Sequence, residues 1–276
     1  MSNISDFSQV TVIITGASMG VGAATARAFL QRGANVVLLA RGRERLEQLA
    51  SELGAPERVL IEALDVCDSA AFARLLEAAR ARFGAVDVLV NNAGFHARGP
   101  VEAVSADDIG RMVDVNLKAP LMATRMALPD LRRSQRPAVI NVASLAGRTP
   151  VPGSATYSAT KFGLRAFGLA LAEELRGEGI RIASVSPGPI TTGFILDDID
   201  TVTDLTFSQP LSSAEQVAEA IVGLVDGGPN DLPMPRISGY LTTISYLLPT
   251  LGRALRPLLE NKGRRTKARL KRDQNA

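Results

Sequence analysis

The sequence predicts a doubly wound α/β domain, a single parallel sheet with helices on both faces, followed by a C-terminal amphipathic and basic extension. Three observations predict it. Short β-branched or aliphatic runs alternate with amphipathic stretches of helical length, the runs are apolar almost throughout, and a glycine-rich loop joins the first run to the first helical stretch. Strands that are apolar on both faces need cover on both faces, which is the condition of a parallel sheet in a Rossmann-like fold.

The strands are expected at 10–15 (VTVIIT), 35–40 (NVVLLA), 59–64 (VLIEAL), 86–90 (VDVLV), 138–143 (AVINVA) and 180–186 (IRIASVS). Helices are expected between them near 20–32, 42–53, 68–83, 105–129 and 156–177. The stretch DGGPNDLPMP, from 226, breaks the pattern with glycine and proline. We therefore expect one catalytic domain over 1–236, with a substrate lid at about 189–211, and an extension over 237–276. A chain of 276 residues is long enough for a large core in one such domain.

Composition removes several classes of chemistry. One cysteine, Cys67, excludes an intramolecular disulfide framework, and one histidine, His96, leaves too few soft ligands for a zinc site, so no metal is expected. The first ten residues, MSNISDFSQV, lack a basic segment followed by an apolar one, so a cytoplasmic protein is expected.

In TVIITGASMGVGAATARAFL, Gly16, Gly20 and Gly22 lie between strand and helix. Glycine there allows a tight turn and close backbone approach, while the helix start offers unpaired N–H groups to a pyrophosphate. At the end of the second strand, where an acid would accept from a ribose 2′-hydroxyl, LLARGRERL places Ala40 and Arg41, with Arg43 near by. A guanidinium grips a 2′-phosphate through paired charge-assisted bonds, and Ser18 adds a donor. NADP(H) is thus expected in preference to NAD(H); the alternative is that both arginines simply begin a solvated helix.

In SATYSATKFGL, Tyr157 and Lys161 are i,i+4 neighbours on one helix face. Ionising a tyrosine at pH 7 takes about 4 kcal/mol. A lysine about 5 Å away at an effective dielectric near 20 supplies about 3 kcal/mol, and the positive helix end acts in the same direction. The pair can therefore serve as a general acid and base.

With TGASMGVG, NNAG at 91–94 and YSATK at 157–161 in this order, residues 8 to about 226 resemble the short-chain dehydrogenase/reductase family, and the glycine spacing is similar to its short subtype. The resemblance implies an oxidoreductase acting on alcohol or carbonyl groups with a catalytic tetrad of Asn116, Ser144, Tyr157 and Lys161. It implies that Asp65 and Val66 border the adenine, and that Asn91, Asn92, Ala93 and Gly94 follow the cofactor. SPGPITTGF (186–194), with Pro187, Gly188, Ile190 and Thr192, would line the nicotinamide side. Lys161 would also hold the nicotinamide ribose, and Asn116 would anchor a water. Ser144 would donate to the substrate oxygen, as an oxyanion needs.

Phe95, Phe194, Ile195, Leu196 and Phe207 can supply apolar walls, and Asp197, Asp198, Asp200 and Asp204 make the lid acidic, while 182–235 holds no lysine or arginine. A small, neutral, hydrophobic alcohol or ketone is expected on that account. His96 follows NNAGF directly and is a lesser candidate for substrate contact. The alternatives to an enzyme are a non-catalytic dinucleotide sensor and a membrane-associated interaction protein on a reductase fold. Leu164, Phe167, Leu171 and Leu175 carry an apolar pattern that either pairs chains into a homodimer or homotetramer or faces the sheet.

From 253 to 272 nine Lys/Arg stand against one acid, Glu260. The preceding run, ISGYLTTISYLLPTLG, is too short and interrupted to span a bilayer. Residues 237–272 are expected to contact a membrane surface, in a cell the inner face. The alternative is packing on the catalytic domain or a partner. Nucleic acid is not expected, because Tyr246 is the only aromatic residue near the basic run.

Overall fold

The structure, a computed structural model, describes residues 6–196 and 199–274. Asp197 and Asp198, and the side chains of Phe194 and Leu196, lie outside the described residues. Seven parallel strands form one sheet in the order β3-β2-β1-β4-β5-β6-β7. They are β1 (Thr11–Thr15), β2 (Asn35–Ala40), β3 (Val59–Ala63), β4 (Val88–Asn91), β5 (Ala138–Val142), β6 (Arg181–Pro187) and β7 (Asp231–Met234). The helices in chain order are α1 (Gly20–Leu30), α2 (Arg43–Leu53), α3 (Ser69–Phe83), α4 (Ala106–Val113), α5 (Ala119–Leu131), α6 (Ala155–Glu174), α7 (Gly193–Leu196), α8 (Ala214–Asp226), α9 (Arg236–Leu247) and α10 (Pro249–Gln274).

Strand periodicity sorts the core into two layers. Val12, Ile14, Val36, Leu38, Val88, Val90, Ile140 and Val185 pack with α1 and α8 on one face. Ile13, Val37, Leu39, Leu89, Val139 and Ile182 pack with α3, α5 and α6 on the other. The strand order reverses between β1 and β4, so the crevice that a doubly wound sheet offers to ligands opens at the carboxyl ends of these two strands.

Two elements depart from the expected pattern. β7 falls inside the stretch read as a breaker. Its Pro233 cannot donate to a ladder, but β7 is an edge strand, where proline is tolerated. The single helix expected over 105–129 is broken by a π-turn at Asp114–Lys118 that contains Asn116. Such turns insert a residue into the helical register.

The extension folds as α9 and α10, and α10 returns over the lid. Gly263 permits the contact: a Cβ there would lie 1.7 Å from the carbonyl oxygen of Asp204. Arg264 pairs with Asp204 at 3.2 Å, Lys267 donates to the Val202 carbonyl at 2.7 Å, and Lys271 pairs with Asp200. Leu270 packs on a small core of Ile195, Ile199, Val202 and Phe207. Part of the basic run therefore neutralises the acidic lid, so packing on the catalytic domain, the alternative to a free anchor, is what this half of the extension does. No helix among the described residues is long and apolar enough to cross a membrane.

Leu164, Leu171 and Leu175 are buried within the single chain, and Phe167 packs partly against the same layer. They face the sheet, and so give no surface for pairing chains.

Candidate active site

One cavity of about 1300 Å³ runs from the glycine loop past the end of β4 to α9 and α10. Gly16, Ser18, Gly20, Arg41, Asp65, Val66, Asn92, Ala93 and Gly94 border its first part, and Ser144, Tyr157, Lys161, Pro187, Gly188, Ile190 and Thr192 the middle. Two expected residues stay behind its wall. Gly22 serves packing: a Cβ there would meet the Gly16 carbonyl oxygen at 2.2 Å and Asn92 Nδ2 at 2.7 Å. Asn91 turns into the core, where its Nδ2 donates to Thr124 and to Asn141 at 2.9 Å.

The loop geometry fits a dinucleotide on structural grounds. Gly16 and Gly20 have φ of 66° and 54°, the left-handed region that favours glycine. Gly20 also lies against Thr192, so the loop after β1 meets the segment after β6. Arg41 is exposed on the cavity rim near Ser18, whereas Arg43 pairs with Glu47 at 3.6 Å along α2. The residues present match a phosphorylated ribose and pyrophosphate in both shape and charge.

The ends of β1 and β4 are tied by a residue that sequence reading missed. Thr15 Oγ1 accepts from the N–H groups of Asn92 and Ala93, each at 2.9 Å. Asn92 Nδ2 returns a bond to the Thr15 carbonyl at 2.9 Å. A strand-end threonine carries no sequence signal for this role.

Asn116 is fully buried and grips the backbone of Phe95 from both sides. Its Oδ1 accepts from the Phe95 N–H, and its Nδ2 donates to the Phe95 carbonyl, both at 2.7 Å. The structure thus commits this side chain to fixing the segment after β4.

Lys161 is 3 % exposed and donates to the Val142 carbonyl at 2.8 Å. Burial lowers its pKa to about 8. Tyr157 differs from the sequence expectation. Burial raises its phenol above the ordinary value, against the pull of a hydrogen bond with Ser144 and the charge of Arg98. The lysine lies 5.7 Å from the ring centroid, and its charge does not offset the loss of water around the phenol.

The substrate end differs in composition from expectation. Phe95 borders it beneath the Arg111 guanidinium, 5.1 Å from the ring, and Ile195 contributes from the lid. Phe207 is fully buried beneath the lid and forms no wall. Leu241, Ile244, Leu251, Leu255 and Leu259 supply apolar surface that sequence reading missed, because the extension was read as an anchor.

A nucleotide-shaped crevice beside a tyrosine, a serine and a buried lysine defines an oxidoreductase-type site on a doubly wound fold. The family model for short chain dehydrogenases matches residues 10–200, and the chain belongs to that family. It is 38 % identical over 194 residues to an uncharacterised oxidoreductase of Staphylococcus saprophyticus, covering 70 % of this chain and 77 % of the relative. It is 40 % identical over 187 residues to serine 3-dehydrogenase of Agrobacterium fabrum, covering 67 % and 74 %. An NADP-dependent 3-hydroxy acid dehydrogenase of Salmonella typhimurium is 39 % identical over 179 residues, covering 64 % and 71 %. Among solved structures, a 3-ketoacyl-(acyl-carrier-protein) reductase from Brucella melitensis complexed with NADH superposes with a TM-score of 0.76 at 29 % identity, covering 85 % of this chain and all of that one.

Proposed function

We propose that the chain is an NADP(H)-dependent oxidoreductase that moves hydride between nicotinamide and a hydrophobic alcohol or ketone, with Tyr157 as general acid and base. The observation that carries this reading is the phenol of Tyr157, bonded to Ser144 and next to buried Lys161, on the same cavity as the glycine loop and Arg41. The bound dinucleotide supplies the hydride. Ser144 orients the substrate oxygen, and Tyr157 gives its proton to that oxygen in reduction or takes it in oxidation. Lys161 holds a proton at Nζ beside them. The raised phenol pKa keeps Tyr157 protonated at neutral pH, the form that reduction uses.

Hydrophobicity of the substrate is supported by the walls from Phe95, Ile195, Leu241, Ile244 and Leu255. Neutrality loses its basis, since Asp200 and Asp204 are held by cations of α10. Arg41 supports NADP(H), as does the NADP-dependent relative, while the NADH complex of the Brucella reductase shows that the fold accommodates either dinucleotide. Arg41→Asp should weaken NADPH binding about tenfold to a hundredfold by replacing a charge-assisted bond with repulsion, and leave NADH little changed. Fluorescence titration of both dinucleotides measures this, and equal affinity of the parent protein for the two would overturn the preference.

Membrane contact through 237–272 is supported on one face only. Ile237, Tyr240, Leu247 and Leu258 are each more than half exposed, and Arg236, Arg253, Lys262, Arg265, Arg269 and Arg272 are exposed around them. We expect the protein to float with anionic vesicles and the double variant Leu247→Glu/Leu258→Glu to remain in solution; equal flotation of the two removes the anchor. Assembly into a homodimer or homotetramer through α4 and α6 would have to use the outward side of α6, where Leu169 is exposed.

A further inference from the structure

The imidazole of His96 lies flat on the phenol ring of Tyr157, with centroids 4.0 Å apart and planes 14° from parallel. Nothing in the proposed reaction uses this histidine, yet its place is strongly determined. The segment carrying it is fixed at Asn92 and Ala93 by Thr15, and at Phe95 by the two bonds from Asn116. Both His96 and Tyr157 border the cavity.

We infer that His96 is a positioning residue for Tyr157: its uncharged ring backs the phenol and keeps water from that face, so that the hydroxyl stays protonated and aimed along its Ser144 bond. This rests on the proposed role of Tyr157 as proton donor. A flat partner restricts rotation of the ring about its own axis, and Ser144 fixes the hydroxyl end, so the two contacts together set the direction of the O–H. Burial, with the charges of Arg98 and Lys161, lowers the imidazole pKa to about 3. The ring is therefore neutral at physiological pH, and adds no positive charge that would pull the phenol down. The charged groups facing the pair are Arg98 on the same loop and Lys161 one turn along α6, with Arg111 of α4 over the neighbouring Phe95.

The test compares His96→Ala, which removes the stack, with His96→Phe, which keeps a flat uncharged ring. The chain has three tyrosines and no tryptophan. Ionisation of Tyr157 is thus readable from phenolate absorbance, as the difference between each protein and its Tyr157→Phe counterpart. In His96→Ala water reaches the ring, so the phenol should titrate at lower pH than in the parent. Ketone reduction needs the protonated phenol, so its alkaline loss of rate should begin at correspondingly lower pH. We expect kcat to fall about tenfold, the upper range for an aromatic pair, with the NADPH dissociation constant unchanged. His96→Phe should restore both titration and kcat. A parent-like titration and rate in His96→Ala, or a His96→Phe protein as impaired as His96→Ala, would overturn the assignment. Should the parent reduce no ketone, the proposed activity fails, while the absorbance titration still decides the positioning role.

Discussion

Tyr157→Phe is expected to lower kcat about 10²–10⁴-fold, the range for losing a positioned general acid, while the NADPH dissociation constant stays within about threefold. The substitution removes one oxygen and little else. A phenylalanine ring can keep the stack on His96, and neither the Lys161 bond to Val142 nor the glycine loop touches the phenol oxygen. Loss of rate with binding preserved would therefore report the proton donor alone. The measurement is single-turnover oxidation of NADPH with a panel of apolar ketones, beside a fluorescence titration of cofactor. A variant that turned over a confirmed substrate at the parental rate would show that another group supplies the proton.

The second large effect is expected from Gly263→Ala. In the interior of a helix this change ordinarily stabilises by about 1 kcal/mol. Here the sign should reverse, because the added carbon would sit 1.7 Å from the Asp204 carbonyl oxygen and 3.1 Å from the Ser208 nitrogen. Relief requires α10 to lift from the lid. We expect a cost of about 1–3 kcal/mol, as for other overpacked contacts, and hence chymotryptic cleavage at Phe207 accelerated about tenfold or more. Phe207 is otherwise fully buried under Leu270. Arg264→Ala should do much less, since its exposed pair with Asp204 contributes at most about 1 kcal/mol. Parental protection of Phe207 in Gly263→Ala would mean that α10 does not hold the lid.

Sequence and structure agree most closely where a signal is local. Six strands were legible because runs such as VTVIIT and NVVLLA are apolar on both faces, and the helix between Gly20 and Leu30 because it follows a glycine loop. β7 was not, because a four-residue edge strand containing Pro233 has the composition of a loop. Tyr157 and Lys161 were legible from their spacing on one helix. The ionisation of Tyr157 was not, because it depends on burial contributed by segments far apart in sequence. The same reason hid the role of the extension. Its charge was visible, but Gly263, Lys267 and Leu270 have a target only once the lid is folded beneath them. His96 showed only that it follows NNAGF; its stacking on α6 is a product of the fold.

The π-turn at Asp114–Lys118 works as a phase shift. One extra residue per turn rotates everything before it by about 100° relative to everything after it. α4 and α5 thereby read as one continuous rod while presenting differently phased faces, Met112 inward on one side of the turn and Ala119 and Ala123 inward on the other. Asn116 occupies the wide turn between the two phases and faces the backbone of Phe95. Deleting any one residue from 114–118 would restore an ordinary helix and bring the two halves into a common phase. Either the apolar stripe of α4 or the grip on Phe95 would then point the wrong way, so the spacing of this helix is constrained as tightly as its chemistry.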